Sequence, residues 1–314
     1  MTTKKLPPLV EWAFFTVISF LAGLAAYYSF LFFIIDILLP LSLIMVVLRL
    51  DARYALLSLL ATGLGLAAFS SPLAALDITS FYGFPGVIFG LLFKNNVSPS
   101  KNLLVGTASA LICSSLSMAA IYMYTGDNPL VLGQEEIDLI REWFSASATA
   151  TTSPYGLDGA TADTFIRFFG LFLPAMFYIS TGTVAVLTYF SARLLLNGLR
   201  FPLPAAPAFN LMRFPWYTVW VLITGLLLTL LGDYLSLEIP SGVGKNIIFI
   251  YSYVSFFLGL SVASFYYVRI KVARPVKIIM AVFLAMYFPF SAALLVFLGA
   301  VEPVVNFRRL PEEQ

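Results

Sequence analysis

The chain has 314 residues, 60% of them hydrophobic and 11% charged, against roughly 45–50% and 25% in an average soluble domain. A soluble fold of this length would have to expose large apolar patches, so lipid is the expected solvent. The formal charge of +2 comes without a basic run, which argues against a nucleic-acid partner, and the absence of histidine removes imidazole relays, haem ligation by imidazole and the Ser-His-Asp arrangement.

Met1–Glu11 carries Lys4 and Lys5 with no small-residue cleavage site after it, which reads as the start of an uncleaved first span. A span needs ~20 apolar residues to cross ~30 Å of hydrocarbon. By that measure the predicted spans are Val10–Phe30, Leu31–Leu50 (broken by Asp36 and Pro40), Tyr54–Ala75, a short Phe81–Phe93, Leu103–Tyr124, Phe165–Leu196, Pro215–Leu231, Ile247–Val268 and Ile278–Leu298. The expected fold class is therefore all-α, a polytopic membrane helix bundle of about nine spans, within a range of eight to ten. Pro289 is placed to split the last block into a re-entrant pair, which would change the side on which Arg308 and Arg309 emerge. Residues 1–196 read as a six-helix membrane block and 197–214, with three prolines, as a cytoplasmic linker. Residues 215–314 read as C-terminal membrane helices and tail.

Residues 126–164 form the one long polar stretch. Within it, Ile137, Ile140 and Phe144 share a helical face in an otherwise acidic run, which predicts a short amphipathic helix on the surface. Lys and Arg fall mostly in the connections that share a side with the N-terminus, and most acids fall in the others. The positive-inside rule then puts the N-terminus in the cytoplasm of a multi-pass cell-membrane protein.

Ala22 and Ala26 lie four apart on the first span and make a flat stripe for a second helix, either a partner protein or a neighbour in the bundle. Asp36 sits inside an apolar block, where an ionisable group costs about 2.5–3.5 kcal/mol near the bilayer centre and less toward the interface. It reads either as a ligand-contacting carboxylate or as the N-cap of a helix that tolerates Pro40 in its first turn. Gly83-Phe84-Pro85-Gly86 predicts a kink, a feature of cavity-lining helices and of membrane helices in general. Tyr27, Tyr82, Tyr122 and Tyr124 on the outer side are candidates to stack on a ligand, with an interfacial aromatic belt as the alternative. No nucleophile, metal-ligand or phosphate-loop signature is present. Cys113 stands alone in an apolar block. The expectation is a non-enzyme with no cofactor and no metal.

Arg213-Phe214-Pro215-Trp216 and the ending Leu298-Gly299-Ala300-Val301-Glu302-Pro303-Val304-Val305-Asn306-Phe307-Arg308-Arg309, together with length and span layout, resemble the YybS-type family of bacterial membrane proteins, whose function is unassigned. Glu302, Asn306, Phe307 and Arg308 are the residues of that family-like ending, with Glu302 where Asp is usual. The first six spans are also similar to the S components of energy-coupling-factor transporters and to the MreD subunit. That similarity implies an S-component-like block that takes a small molecule under residues 126–164. It also implies an energising partner docked on Ala22 and Ala26. The alternative it implies is a scaffold for envelope-assembly or cell-division proteins, with membrane lipids around the bundle in either case.

Overall fold

The computed structural model describes residues 7–28, 33–150, 159–206 and 208–310, and among these every regular element is helical. Among the described residues eight helices are long and apolar enough to cross a membrane, at the lower edge of the expected range. The chain divides into two compact units, one made of residues 1–130 and 180–206 and the other of 131–179 and 207–314. All but the first five residues of the polar stretch 126–164 thus group with the C-terminal helices, and the first part of the linker groups with the N-terminal ones.

The first unit is built around a helix too short to span. Its elements are α1 (Pro8–Tyr28), α2 (Phe33–Asp36), α3 (Leu38–Arg49), α4 (Ala52–Phe69), α5 (Pro72–Ile78), a π-helical turn (Thr79–Gly83), α6 (Phe84–Lys94) and α7 (Pro99–Thr125), together with residues 180–198 of the long helix Gly159–Gly198. The predicted span Leu31–Leu50 is interrupted at Ile37, and α3 covers only 12 residues, about 18 Å at helical rise. Leu39, Leu43, Ile44, Met45, Val46 and Val47 are nevertheless all buried. A helix apolar on every side belongs in the middle of a bundle, and α1, α4 and α6 pack around this one.

The predicted short span Phe81–Phe93 is longer than expected, because the helical path begins at Pro72. Ser71 caps it by accepting the Ala74 N–H, with Pro72 at the first helical position, the preferred use of that pair. The π-helical turn lies just before Pro85, where an α-helical path would meet the ring. Close approach explains the glycines that follow. A Cβ on Gly86 would stand 2.7 Å from Pro40 Cα, and one on Gly90 would stand 2.8 Å from Val47 Cβ. One end of the unit is tied by charge: Arg49 pairs with Glu11 at 2.6 Å, and Lys94 pairs with Asp51, the N-cap of α4, at 3.0 Å. At the other end the Tyr28 hydroxyl donates to the Phe69 carbonyl. Gly126, in the left-handed conformation, closes α7.

The second unit begins with α8 (Gln134–Ala150) and the first half of α9 (Gly159–Gly198), a 40-residue helix with Pro174 inside. Arg141 on α8 pairs with Asp163, and Phe144 packs on Phe165. The predicted amphipathic helix is therefore present and runs beyond Phe144. Next come α10 (Val219–Tyr234) and α11 (Glu238–Arg269), an antiparallel hairpin closed by a tight turn. They are followed by α12 (Arg274–Met286) and α13 (Phe288–Val305).

The chain breaks at Tyr287, just before Pro289, so the predicted last span Ile278–Leu298 is two helices. α12 has 13 residues, about 20 Å, and α13 is of spanning length. α11 and α13 are in close contact where Gly259 meets the backbone of Leu295 and Gly299 meets that of Ser255, as small residues permit. Beyond α13 the Tyr266 hydroxyl donates to the Phe307 carbonyl, and Arg213 donates to the Leu310 carbonyl. The tail therefore lies at the end where the linker enters α10, as the re-entrant arrangement requires.

Candidate functional site

In lipid, a polar side chain without a partner is the costliest thing a helix bundle can hold. The first unit concentrates such groups. Asp36, at the end of α2, is 6% exposed. Its Oδ2 accepts a long 3.4 Å hydrogen bond from the Tyr82 hydroxyl, and its Oδ1 is buried with no partner. The N-cap reading of Asp36 does not hold: the residue preceding α3 is Ile37, and no side chain caps that helix. Tyr82 lies on the π-helical turn, a geometry common at functional sites.

Asp77 lies five residues before Tyr82 on the same helical path, about one turn of it. Its Oδ1 is likewise buried and unpartnered. Ser117 on α7 stands beside Asp77 without reaching good hydrogen-bond geometry. Thr107, Ser114 and Ser117 recur at helical spacing on α7, and none of their hydroxyls has a partner. That is unusual within the same helix, because Ser109 and Ser115 bond backward to Gly106 and Leu111, the ordinary use of a helical serine. Among the described residues no Lys or Arg pairs with Asp36 or Asp77. Nor is any group of three or more His, Cys, Asp or Glu placed to hold a metal ion.

Of the residues singled out in the sequence, Asp36 and Tyr82 are brought together. Tyr27 packs edge-on against Tyr28 and is exposed, as are Tyr122 and Tyr124 near the end of α7. No contact joins them to Asp36. Ala22 is only 3% exposed and belongs to the core of the first unit with Leu39 and Leu66. Its side of the stripe is filled by the chain's own helices, while Ala26 is half-buried. Asp77 and Ser117 were not among the sequence candidates. The signal that reveals them is Ser71-Pro72, which starts the helix early enough to carry Asp77 inside it.

The C-terminal ending makes a second buried polar cluster, and this one is fully used. Glu302 and Arg308 form an ion pair at 2.7 Å, with side chains 2% and 0% exposed. Arg308 also donates to Ser261 Oγ and to the carbonyls of Asn210 and Met212. Glu302 Oε2 accepts the Phe307 N–H, and Ser261 donates to the Phe209 carbonyl. Asn306 takes the left-handed conformation that turns the chain, and its amide bonds Leu310 both ways. Glu302, Asn306 and Arg308 of the family-like ending are thus parts, by their side chains, of a latch that pins the linker to the tail, and Phe307 adds its backbone N–H and carbonyl.

No curated protein and no solved structure matches the chain. A family model matches residues 14–302, from the middle of α1 to near the end of α13. On that match, the chain belongs to the family described as predicted membrane protein (DUF2232).

Proposed function

We propose that the chain is a non-enzymatic membrane protein that captures a small molecule in its first helical unit, as part of transport. The observation that carries this reading is the pair of buried, unpartnered carboxylate oxygens of Asp36 and Asp77 flanking Tyr82. Each neutral buried group left unpaired costs about 1–3 kcal/mol, and a charged one costs more. A scaffold for envelope or cell-division proteins gains nothing from that cost, whereas a binding site recovers it when occupied. The likeness in layout to S components supports the same reading at the level of architecture alone.

The charge pattern supports a cytoplasmic N-terminus. On that reading the end bearing Arg49 and Lys94 faces the cytoplasm, and Asp36 lies toward the outer end of the unit. Ala22 is occupied within the bundle, so an energising partner meets exposed cytoplasmic residues such as Arg53 and Lys101. The test is thermal stabilisation of detergent-purified protein by a panel of vitamins and metabolites. No ligand raising the Tm of demonstrably folded protein would overturn the proposal.

A further inference from the structure

We infer that the occupant of the Asp36–Tyr82–Asp77 cluster is a small monovalent cation, either an alkali-metal ion or the ammonium head of a small amine. This rests on the capture reading and names the ligand class for that site.

The first argument is charge. Two carboxylates flank one hydroxyl in a low-dielectric bundle, and they repel too strongly to be ionised together without a positive partner. Among the described residues no Lys or Arg supplies one. The basic residues of the first unit that the structure pairs, Arg49 and Lys94, are held by Glu11 and Asp51 at the charged end.

The second argument is the donor set, which adds hydroxyl oxygens to the two acids. Ser117 is 2% exposed, and its hydroxyl has no hydrogen-bond partner while it stands beside Asp77. Tyr82 donates its proton to Asp36, which leaves its oxygen lone pairs to face a cation. Every group is an oxygen, which suits a hard cation and excludes a thiophilic metal. Calcium and magnesium take about six or more oxygen ligands, and no third acid joins these two among the described residues. An ammonium group has three donors to give, matching the acceptors left open on Asp36, Asp77 and the hydroxyls.

The experiment uses the full chain purified in detergent, at constant ionic strength with choline chloride as filler. Binding of 22Na⁺ and of 14C-methylammonium is measured separately, which distinguishes the inorganic source from the organic one. The expected result is saturable binding of one of them, weakened at least tenfold in Asp36→Asn and in Asp77→Asn. Where those variants fail to fold, Tyr82→Phe and Ser117→Ala keep both carboxylates and must weaken binding about threefold or more. Absence of saturable binding to folded protein would overturn the inference. So would binding unchanged in the folded variants, or binding of Mg²⁺ or Ca²⁺ alone. If cations fail but a neutral member of the metabolite panel stabilises the protein, capture stands and the cation assignment falls. Failure of both removes both.

Discussion

Asn246→Leu on α11 should destabilise the protein by breaking its side-chain bonds into α9. Pro174 lies inside α9 and has no N–H, and its ring prises open the turn around it. Ala175 N–H and the Leu171 carbonyl would normally bond to each other, four residues apart. Instead the amide of Asn246 on α11 is inserted between them: Oδ1 accepts from Ala175 at 2.9 Å and Nδ2 donates to Leu171 at 2.8 Å. The other Nδ2 proton goes to the Gly242 carbonyl at 2.8 Å. Leucine of similar volume leaves one N–H and one carbonyl unpaired in a spanning helix. At about 1–3 kcal/mol each the cost is about 2–6 kcal/mol, and partial relaxation of the kink brings it toward the lower half of that range. The readout is thermal unfolding in detergent, where a loss of this size lowers the Tm by ~5 °C or more. Pro174→Leu in the same background should restore most of the loss, because α9 regains its own 174-to-170 and 175-to-171 bonds. An Asn246→Leu protein within about 0.5 kcal/mol of wild type, or a double variant no better than the single one, would refute the reasoning.

Four further outcomes follow from the packing and the charges. Arg308→Met leaves Glu302 buried and unpaired, at a cost of about 3–5 kcal/mol. Proteolysis in the 208–213 segment should then accelerate, and Arg308→Lys should not rescue it, because a point charge cannot reach the acceptors that the guanidinium fork spans. Gly259→Leu should abolish recovery of folded protein, since its Cβ would collide with the Leu295 backbone. Gly182→Ala, with open space around its Cβ, should be neutral or stabilising by about 0.5–1 kcal/mol in the interior of α9. The hydrogen bond from Lys94 holds the Asp51 carboxyl below the ordinary aspartate range. A group whose folded value is depressed contributes stability that is present above its unfolded value and lost as pH falls through the folded one. The Tm advantage of wild type over Asp51→Asn, which keeps the helix cap, should therefore persist at neutral pH and disappear below about pH 4.

Much of the bundle was legible because the bilayer imposes one rule on length and polarity. The places where it was not legible share a cause. Leu31–Leu50 has the composition of a span, but whether an apolar run faces lipid or protein depends on its neighbours, and α3 is sheathed by other helices. Asp77 read as a loop residue because hydropathy falls around it, although Ser71-Pro72 begins the helix and Ser71 caps it. Asn246 lay at the margin of a predicted span, and its role needs Pro174, 72 positions away in the chain, to be in contact. Asp36 and Tyr82 were each marked by chemistry alone, and their meeting across the fold was not readable from spacing. The ending was singled out by a resemblance, but its physical part, a buried fork holding Asn210 and Met212, involves residues with no distinguishing pattern.

The two units treat polarity in opposite ways, and that contrast bears on function. In the second unit each buried polar cluster is spoken for: Asn246 repairs a broken helix, and Glu302, Arg308 and Ser261 bind one another and the linker. The same chain, under the same bilayer constraint, leaves Asp36, Asp77, Ser114 and Ser117 with oxygens unmatched in the first unit. A general tolerance for unpaired groups would scatter them through both. Among the described residues the unmatched oxygens all lie in the first unit, at Asp36 beside Tyr82, at Asp77, at Thr62 on α4 and at Asn102, Thr107, Ser114 and Ser117 along α7, which is where a site built to be filled would need them.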